Sequence, residues 1–168
     1  MSRKAKQAAK KILESFGDSL PINLDAILKA YNLSVRKEKL EDKTSGMLVI
    51  KDGYAIIGIN ANHHPNRQRF TIAHELGHFL LHQTVSNIFI DSSLVFLRDE
   101  KASEGTKRQE IEANTFAAEL LMPELVLIEK AHNLPLDDDQ VVKKLADEFG
   151  VSVQALTIRL TKLGLITA

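Results

Sequence analysis

Residues 69–82 read Arg69-Phe70-Thr71-Ile72-Ala73-His74-Glu75-Leu76-Gly77-His78-Phe79-Leu80-Leu81-His82, and the rest of the chain is best understood outward from this stretch. His74 and His78 stand four apart. On an α-helix residues so spaced project from one face, about 6 Å apart along the axis, so two imidazoles can reach one divalent ion. Glu75 follows the first histidine, where a carboxylate beside an ion can take a proton from water. With six histidines in 168 residues, chance produces such a His-Glu-x-x-His pentad in about 1.5% of chains of this composition. The bland alternative is a helix carrying two surface histidines. Phe70, Ile72, Ala73, Leu76, Phe79, Leu80 and Leu81 argue against it, because a helix apolar on most sides is buried and buried imidazoles need partners. Gly77 in mid-helix costs about 1 kcal/mol relative to alanine. Close approach of another backbone would account for it, although a merely tolerated glycine would read the same. His82 lies eight residues beyond His74, about 12 Å along the axis. It cannot share an ion with His74 on an unbroken helix and is read as a supporting residue.

This helix begins at His64-Pro65 and runs to about His82. Upstream, Met47 to Ile50 and Tyr54 to Ile59 are β-rich runs separated by Asp52-Gly53, the signal of a two-residue hairpin turn. With a strand around Val35 they predict a small antiparallel sheet of about three strands, whose hairpin edge is expected to accept an extended peptide. Further upstream, Ala5, Ala8, Ala9, Ile12, Leu13 and Phe16 recur at helical spacing with lysines opposite, an amphipathic surface helix closed by Gly17. A second helix is expected from Pro21 to about Tyr31. Downstream, residues 86–107 read as irregular, with 99–107 an exposed loop. Helical period returns from Arg108 to Leu121 and stops at Met122-Pro123. A short helix, a loop with Pro135 and three aspartates, and two helices meeting at Gly150-Val151-Ser152 complete the chain. Strands followed by segregated helices define an α+β fold. Residues 1–123 are expected to form the core and residues 124–168 a helical region packed on it, or continuous with it.

Composition narrows the chemistry. There is no cysteine, which excludes disulfides, thiolate zinc sites and thiol nucleophiles and leaves histidine and carboxylate as ligands. Lys plus Arg and Asp plus Glu are both 22, and zero net charge weighs against a protein whose main task is gripping nucleic acid or an anionic membrane. No stretch of about 18 apolar residues is present. The basic N-terminal segment lacks the apolar run of a signal peptide, so a cytoplasmic location is expected. A catalytic zinc takes three protein ligands and keeps one open position. Glu110-Ile111-Glu112-Ala113-Asn114 is similar to the Glu-x-x-small-Asp pattern of zincins with a glutamate ligand, with asparagine in the acid's place. In that pattern the glutamate binds metal and the acid one turn later orients a ligand histidine, which implies Glu110. Glu112 is the alternative: two carboxylates two apart on a helix point about 200° apart, and only one can face the ion.

Arg69 to His82, taken with Glu110-Ile111-Glu112-Ala113-Asn114-Thr115-Phe116-Ala117-Ala118-Glu119-Leu120-Leu121-Met122-Pro123, resembles the signature of the ImmA/IrrE family of metallo-endopeptidases. The order of parts is similar too: N-terminal helices, small sheet, histidine helix, variable segment, glutamate helix, helical tail. The resemblance implies a zincin-like core in which His74, His78 and Glu110 hold one Zn²⁺, with Mn²⁺ or Fe²⁺ as substitutes, and Glu75 is the catalytic base. Tyr54, His63, His64, His82 and His132 are candidates for a second oxyanion donor. It further implies a protein substrate, a helix-turn-helix transcriptional repressor, in a mobile-element, toxin–antitoxin or stress-response circuit. The rival is a regulator that keeps the zincin fold but senses metal, or binds DNA or a partner, without cleaving. The tail itself looks like a helix-turn-helix, with Ala146, Gly150 and Leu156 at the small, turn and anchor positions and Ser152 as N-cap. From Gln140 onward it carries four basic and two acidic residues, a weak excess that disfavours direct DNA binding.

Overall fold

In a computed structural model of the chain, residues 2–51, 54–82, 88–92 and 100–167 are described, those of 88–92 and 100–104 by backbone alone. Helix α1 (Arg3–Phe16) starts at Ser2, whose hydroxyl accepts the Ala5 N–H, and buries Ala5, Ala9 and Ile12. Helix α2 (Leu24–Ala30) starts later than expected, at Asn23, whose side chain accepts the Ala26 N–H. Strands β1 (Leu33–Glu38), β2 (Thr44–Lys51) and β3 (Tyr54–Asn60) precede the histidine helix α3 (Pro65–His82). Strand β4 (Ile88–Ser92), then α4 (Glu100–Leu121), α5 (Glu124–Ala131), α6 (Asp139–Phe149) and α7 (Val153–Lys162) follow.

The α+β class is as expected, but the sheet differs from a three-stranded antiparallel one. Its order is β1-β3-β2-β4. Strands β2 and β3 pair antiparallel down to Lys51↔Tyr54; the turn residues Asp52 and Gly53 lie outside the described residues. Strand β1 pairs in parallel with β3, from Leu33↔Ala55 to Glu38↔Asn60, and β4 pairs antiparallel with β2. Periodicity identifies strands but not neighbours, and here the β1–β2 connection passes over the end of β3. Asn60, fully buried, holds that crossover: its amide donates to the carbonyls of Leu40 (3.3 Å), Glu41 (3.1 Å) and Thr44 (3.0 Å). Among the described residues β2 and β3 each have a neighbour on both sides, so the edges of the sheet are β1 and β4 rather than the hairpin strands.

The segment read as irregular also contains more structure. It includes β4, and α4 begins at Glu100 rather than Arg108. Those first two turns are built from helix formers such as Glu, Lys and Ala but carry no apolar stripe, so no helical period could be read there.

Helix α3 is the centre of the molecule. It packs on β2 and β3 with one side and on α4 with the other, and every residue from Ala73 to His78 is buried. Its entry is fixed by His64, whose Nδ1 accepts the Asn66 N–H at 3.2 Å, and by Pro65 in the first helical position. The C-terminal helices close one end of the same hydrophobic core, to which Phe149, Leu156 and Leu160 contribute along with Ile57, Leu76 and Phe116. Gly150 is left-handed (φ 63°) and Ser152 caps α7, as the turn signal predicts. That turn is tied to α3: Arg69 donates to the carbonyls of Gly150 (3.2 Å) and Ile22 (2.8 Å), and Asn66 to that of Val151 (2.8 Å). Arg159 of α7, itself buried, pairs with Glu119 of α4 at 2.6 Å.

Where β2 crosses α3, Gly46 permits contact that no other residue would. A Cβ there would overlap Thr71 Cγ2 and stand 3.0 Å from the Gly58 carbonyl oxygen. Gly46→Ala is therefore expected to cost about 1–3 kcal/mol through overpacking. Adding Thr71→Ser, which removes the overlapped methyl, should recover part of it. Urea unfolding of the two single variants and the double variant measures this; strictly additive losses would show that the contact does not constrain the packing.

Candidate metal centre

The approach of α3 to α4 sets the geometry. A Cβ on Gly77 would lie 3.1 Å from Phe116 Cδ1, 3.2 Å from Ala113 Cα and 3.3 Å from the Ala113 carbonyl oxygen. A side chain there would push the helices apart. Ala113 and Ala117 are fully buried in the same seam. Backbone proximity is thus the reason for the mid-helix glycine.

Across this seam His74 and His78 meet Glu110, one turn before Ala113. The His74 and His78 Nε2 atoms are 3.0 Å apart. Glu110 places Oε2 3.1 Å from His74 Nε2 and Oε1 3.1 Å from His78 Nε2. Ligand atoms about 2.0–2.1 Å from a tetrahedral ion stand about 3.3 Å apart, so the triangle has the size a single ion requires after slight opening. Among the described residues, these three are brought together as a group able to hold a metal. Two imidazole nitrogens and a carboxylate, without thiolate, suit zinc and also manganese or iron. The imidazoles are 4% and 2% exposed and the Glu110 side chain 27%, so the cluster opens to solvent on the glutamate side.

The shifts at Glu110 and His78 favour the forms a ligand needs. Burial alone would raise the Glu110 carboxyl, but hydrogen bonds and charge from His74 and His78 outweigh it and lower the group to about 2. Burial also pushes the His78 imidazole down, with partial opposition from its bond to Glu110. An anionic Glu110 and a His78 that resists protonation are the forms that bind a cation.

Supporting contacts surround the triangle. His74 Nδ1 lies 3.1 Å from Asn114 Oδ1, so asparagine stands where the motif's acid would. His78 Nδ1 lies 3.2 Å from His82 Nδ1, and His82 Nε2 lies 3.0 Å from Glu112 Oε2. Glu112, the alternative ligand, thus faces His82 rather than the triangle. The His82 hydrogen bond is the main influence holding its carboxyl low, against the cost of burial. Its other oxygen accepts from Ser2 Oγ (3.2 Å) and Arg108 Nε (3.3 Å). The spacing of His82 from His78 signalled a neighbour; nothing in the sequence signalled Ser2 or Arg108. Glu75 is fully buried beneath β2, where a Cβ on Gly46 would come within 3.4 Å of its Oε1. Of the other oxyanion candidates, His63 lies 3.3 Å from the Asp42 carbonyl, His64 caps α3, His132 caps α5, and Tyr54 is exposed at the start of β3.

Comparison with known proteins agrees with this arrangement. Residues 28–161 match the family described as Peptidase_M78, the IrrE N-terminal-like domain. Over 144 residues the chain is 29% identical to the "Uncharacterized immunity region protein 2" of Bacillus phage phi105, covering 85% of this chain and 84% of that protein. A solved structure of a "Mycobacterium tuberculosis transcriptional regulator" matches 95% of this chain with a TM-score of 0.65 at 19% identity, a likeness of fold. The chain spans 47% of that regulator's length. Among the described residues, no helix is long and apolar enough to cross a membrane.

Metal-free protein is expected to melt at a higher temperature when Zn²⁺ is added, and a chelator should reverse the shift. An ion present at about a hundredfold over its Kd adds about 2.7 kcal/mol to stability. Thermal melts of the wild type and Glu110→Ala check this: the shift should vanish in the variant, and an unshifted wild type would refute the site.

Proposed function

The chain belongs to the family of the IrrE N-terminal-like domain, and from that premise we propose that it is a zinc-dependent endopeptidase cleaving a helix-turn-helix transcriptional repressor in the regulatory circuit of a mobile element. The observation carrying this reading is the convergence of His74, His78 and Glu110 within 3.1 Å beside a buried Glu75. His74, His78 and Glu110 are the residues that would hold Zn²⁺. When bound, the ion supplies Lewis-acid polarisation and brings the pKa of a water toward about 7. Glu75 accepts the proton of the attacking water and returns it to the leaving amine nitrogen as the peptide bond breaks. The first turns of α3 are tied by His64, Arg69 and Asn66, which fixes the placement of the helix that carries that carboxylate.

The immunity-region protein of a phage supports the regulatory setting. The tail supports a protein partner over DNA. Arg159 is buried against Glu119, which leaves Lys162 as the only cation on α7 available to solvent, while Val153 and Ile158 are 44% and 49% exposed. Phosphate recognition needs outward cations; apolar exposure suits contact with a protein. We read residues 1–123 as the catalytic core and 124–168 as a helical region packed on it.

Incubating zinc-loaded protein with the repressor encoded beside its gene tests the reading. Glu75→Gln is expected to keep one equivalent of zinc and to lose cleavage by about 10²–10⁴-fold. Fragment analysis by mass spectrometry decides: cleavage by both proteins removes Glu75 from the chemistry, and cleavage by neither removes this substrate.

A further inference from the structure

Along α1 two cations are answered by acids: Lys6 meets Glu119 and Glu124, and Lys10 meets Glu14. The start of the same helix is different. Between it and α4 runs an open groove of about 640 Å³, walled by Arg3, Lys4, Lys107 and Arg108 together with Ile111 and Glu112. Arg3 and Lys107 are exposed and meet no acid among the described residues. Lys4 donates at 3.0 Å to the Leu81 carbonyl, a neutral partner at the end of α3. Glu112 is the one carboxylate in the groove, and it already lies against His82, Ser2 and Arg108. Arg108 reaches it through Nε, which leaves the outer N–H groups of an 82% exposed side chain for a second acid. In a chain with 22 basic and 22 acidic residues, this surplus is local. Nor does it stabilise the helix that bears it: Arg3 and Lys4 stand in the first turn of α1, where the helix dipole favours acids.

We propose that this groove is a docking site for an acidic segment of the protein substrate, one whose carboxylates flank an apolar side chain. The carboxylates meet Arg3, Lys107 and the outer edge of Arg108, since a guanidinium fork matches a carboxylate. The apolar side chain meets Ile111, which is 50% exposed and stands one turn from both Lys107 and Arg108 on α4. That apolar wall is the reason to favour a peptide, because a duplex backbone presents phosphates and nothing to cover Ile111. The groove also belongs to the helices of the metal centre. Lys4 is tied to Leu81, one residue before the end of α3, and Glu112 follows Glu110 by two residues on α4. A substrate held here is held to the same two helices as His74, His78 and Glu110, which raises the effective concentration of its linked segment at the metal centre. The identity of the ligand rests on the endopeptidase reading, although the charge surplus does not.

Fluorescence anisotropy on the full chain, kept metal-free so that nothing is cleaved, tests the groove. The probe is a labelled peptide of glutamates around a central leucine, and its counterpart carries glutamine at every glutamate. The acidic peptide is expected to bind, and to bind about tenfold more weakly as added salt shortens the range of the charges. Arg3→Glu combined with Lys107→Glu should weaken it by about tenfold or more. Lys11→Glu, which reverses an exposed charge on α1 outside the groove, should change it by less than about twofold. If the double reversal does not fold, Arg3→Gln combined with Lys107→Gln should still weaken binding, by about threefold. No binding of the acidic peptide, equal binding of the glutamine peptide, or an equal loss in Lys11→Glu overturns the proposal. A DNA duplex that binds more tightly than the peptide, and is lost with the same reversal, overturns it too, because the cations then serve phosphates. In cleavage of the repressor the double reversal should act on KM, and an unmoved KM overturns the groove as a substrate site. A protein that binds the acidic peptide through Arg3 and Lys107 yet never cleaves the repressor removes the endopeptidase reading instead and keeps the groove as a site for acidic segments.

Discussion

The backbones of α3 and α4 meet at Gly77 and Ala113 closely enough that a single added methyl would stand 3.2 Å from the Ala113 Cα. The rest of the site depends on that distance. Glu110 sits one turn from Ala113, so any separation of the helices carries its carboxylate away from His74 and His78. Phe116 and Ala117, fully buried, fill the seam beyond. Gly77 is a poor helix former, by about 1 kcal/mol against alanine, and the cost is offset by a seam that only a residue without a side chain allows. The 3.0–3.1 Å edges of the triangle are therefore a property of helix packing before they are a property of any ion.

A helix buried from Ala73 to His78, with His74, Glu75, His78 and the equally buried His82 along it, presents a second problem, because desolvated polar groups are costly unless bonded. The solution is a set of short chains that lead from the buried ligands to solvent. From His78 the contacts pass through His82 and Glu112 to Arg108, whose side chain is 82% exposed. From His74 a single contact reaches Asn114 on the exposed side of α4. His74, His78 and His82 are each bonded in this way, and the chain from His78 ends on a cation that water can still screen. Ser2 joins this set with one hydroxyl, accepting from Ala5 to begin α1 and donating to Glu112. The start of α1 is thus coupled to the ligand shell.

This division between local and non-local constraint explains what could be read from the sequence. The span of α3, the face shared by His74 and His78, and the left-handed turn at Gly150 all follow from spacing or from one residue's backbone preference, and each stands where expected. The neighbour of a strand does not follow from spacing. The parallel pairing of β1 with β3 depends on a crossover pinned by Asn60, a residue that reads simply as a polar strand end. Strand β4 is five residues long and belongs to the sheet only because β2 is there to receive it. Helix geometry by itself does not choose between Glu110 and Glu112, and the choice of Glu110 comes from the motif: their directions relative to one another follow from the helix, but their directions relative to α3 follow from how the helices dock. Docking uses both, one toward the imidazole nitrogens of the triangle and the other toward His82.

The tail carries the turn of a two-helix motif but directs that motif's polar groups inward. A turn between two helices becomes a DNA reader when its second helix projects cations and hydrogen-bonding groups into a groove. Here the turn carbonyls of Gly150 and Val151 are engaged by Arg69 and Asn66, and the arginine of α7 is turned inward to Glu119 and the Met122 carbonyl. Removing one partner from such a buried pair costs about 3–5 kcal/mol, so Arg159 cannot swing out to meet a phosphate without weakening the junction of α4 and α7. The outward face left behind is short of charge and carries Val153 and Ile158. Zero net charge over the whole chain and an α7 face whose exposed cation is Lys162 alone both weigh against reading phosphates, and the connection the turn makes inward is with the helix that carries the histidines.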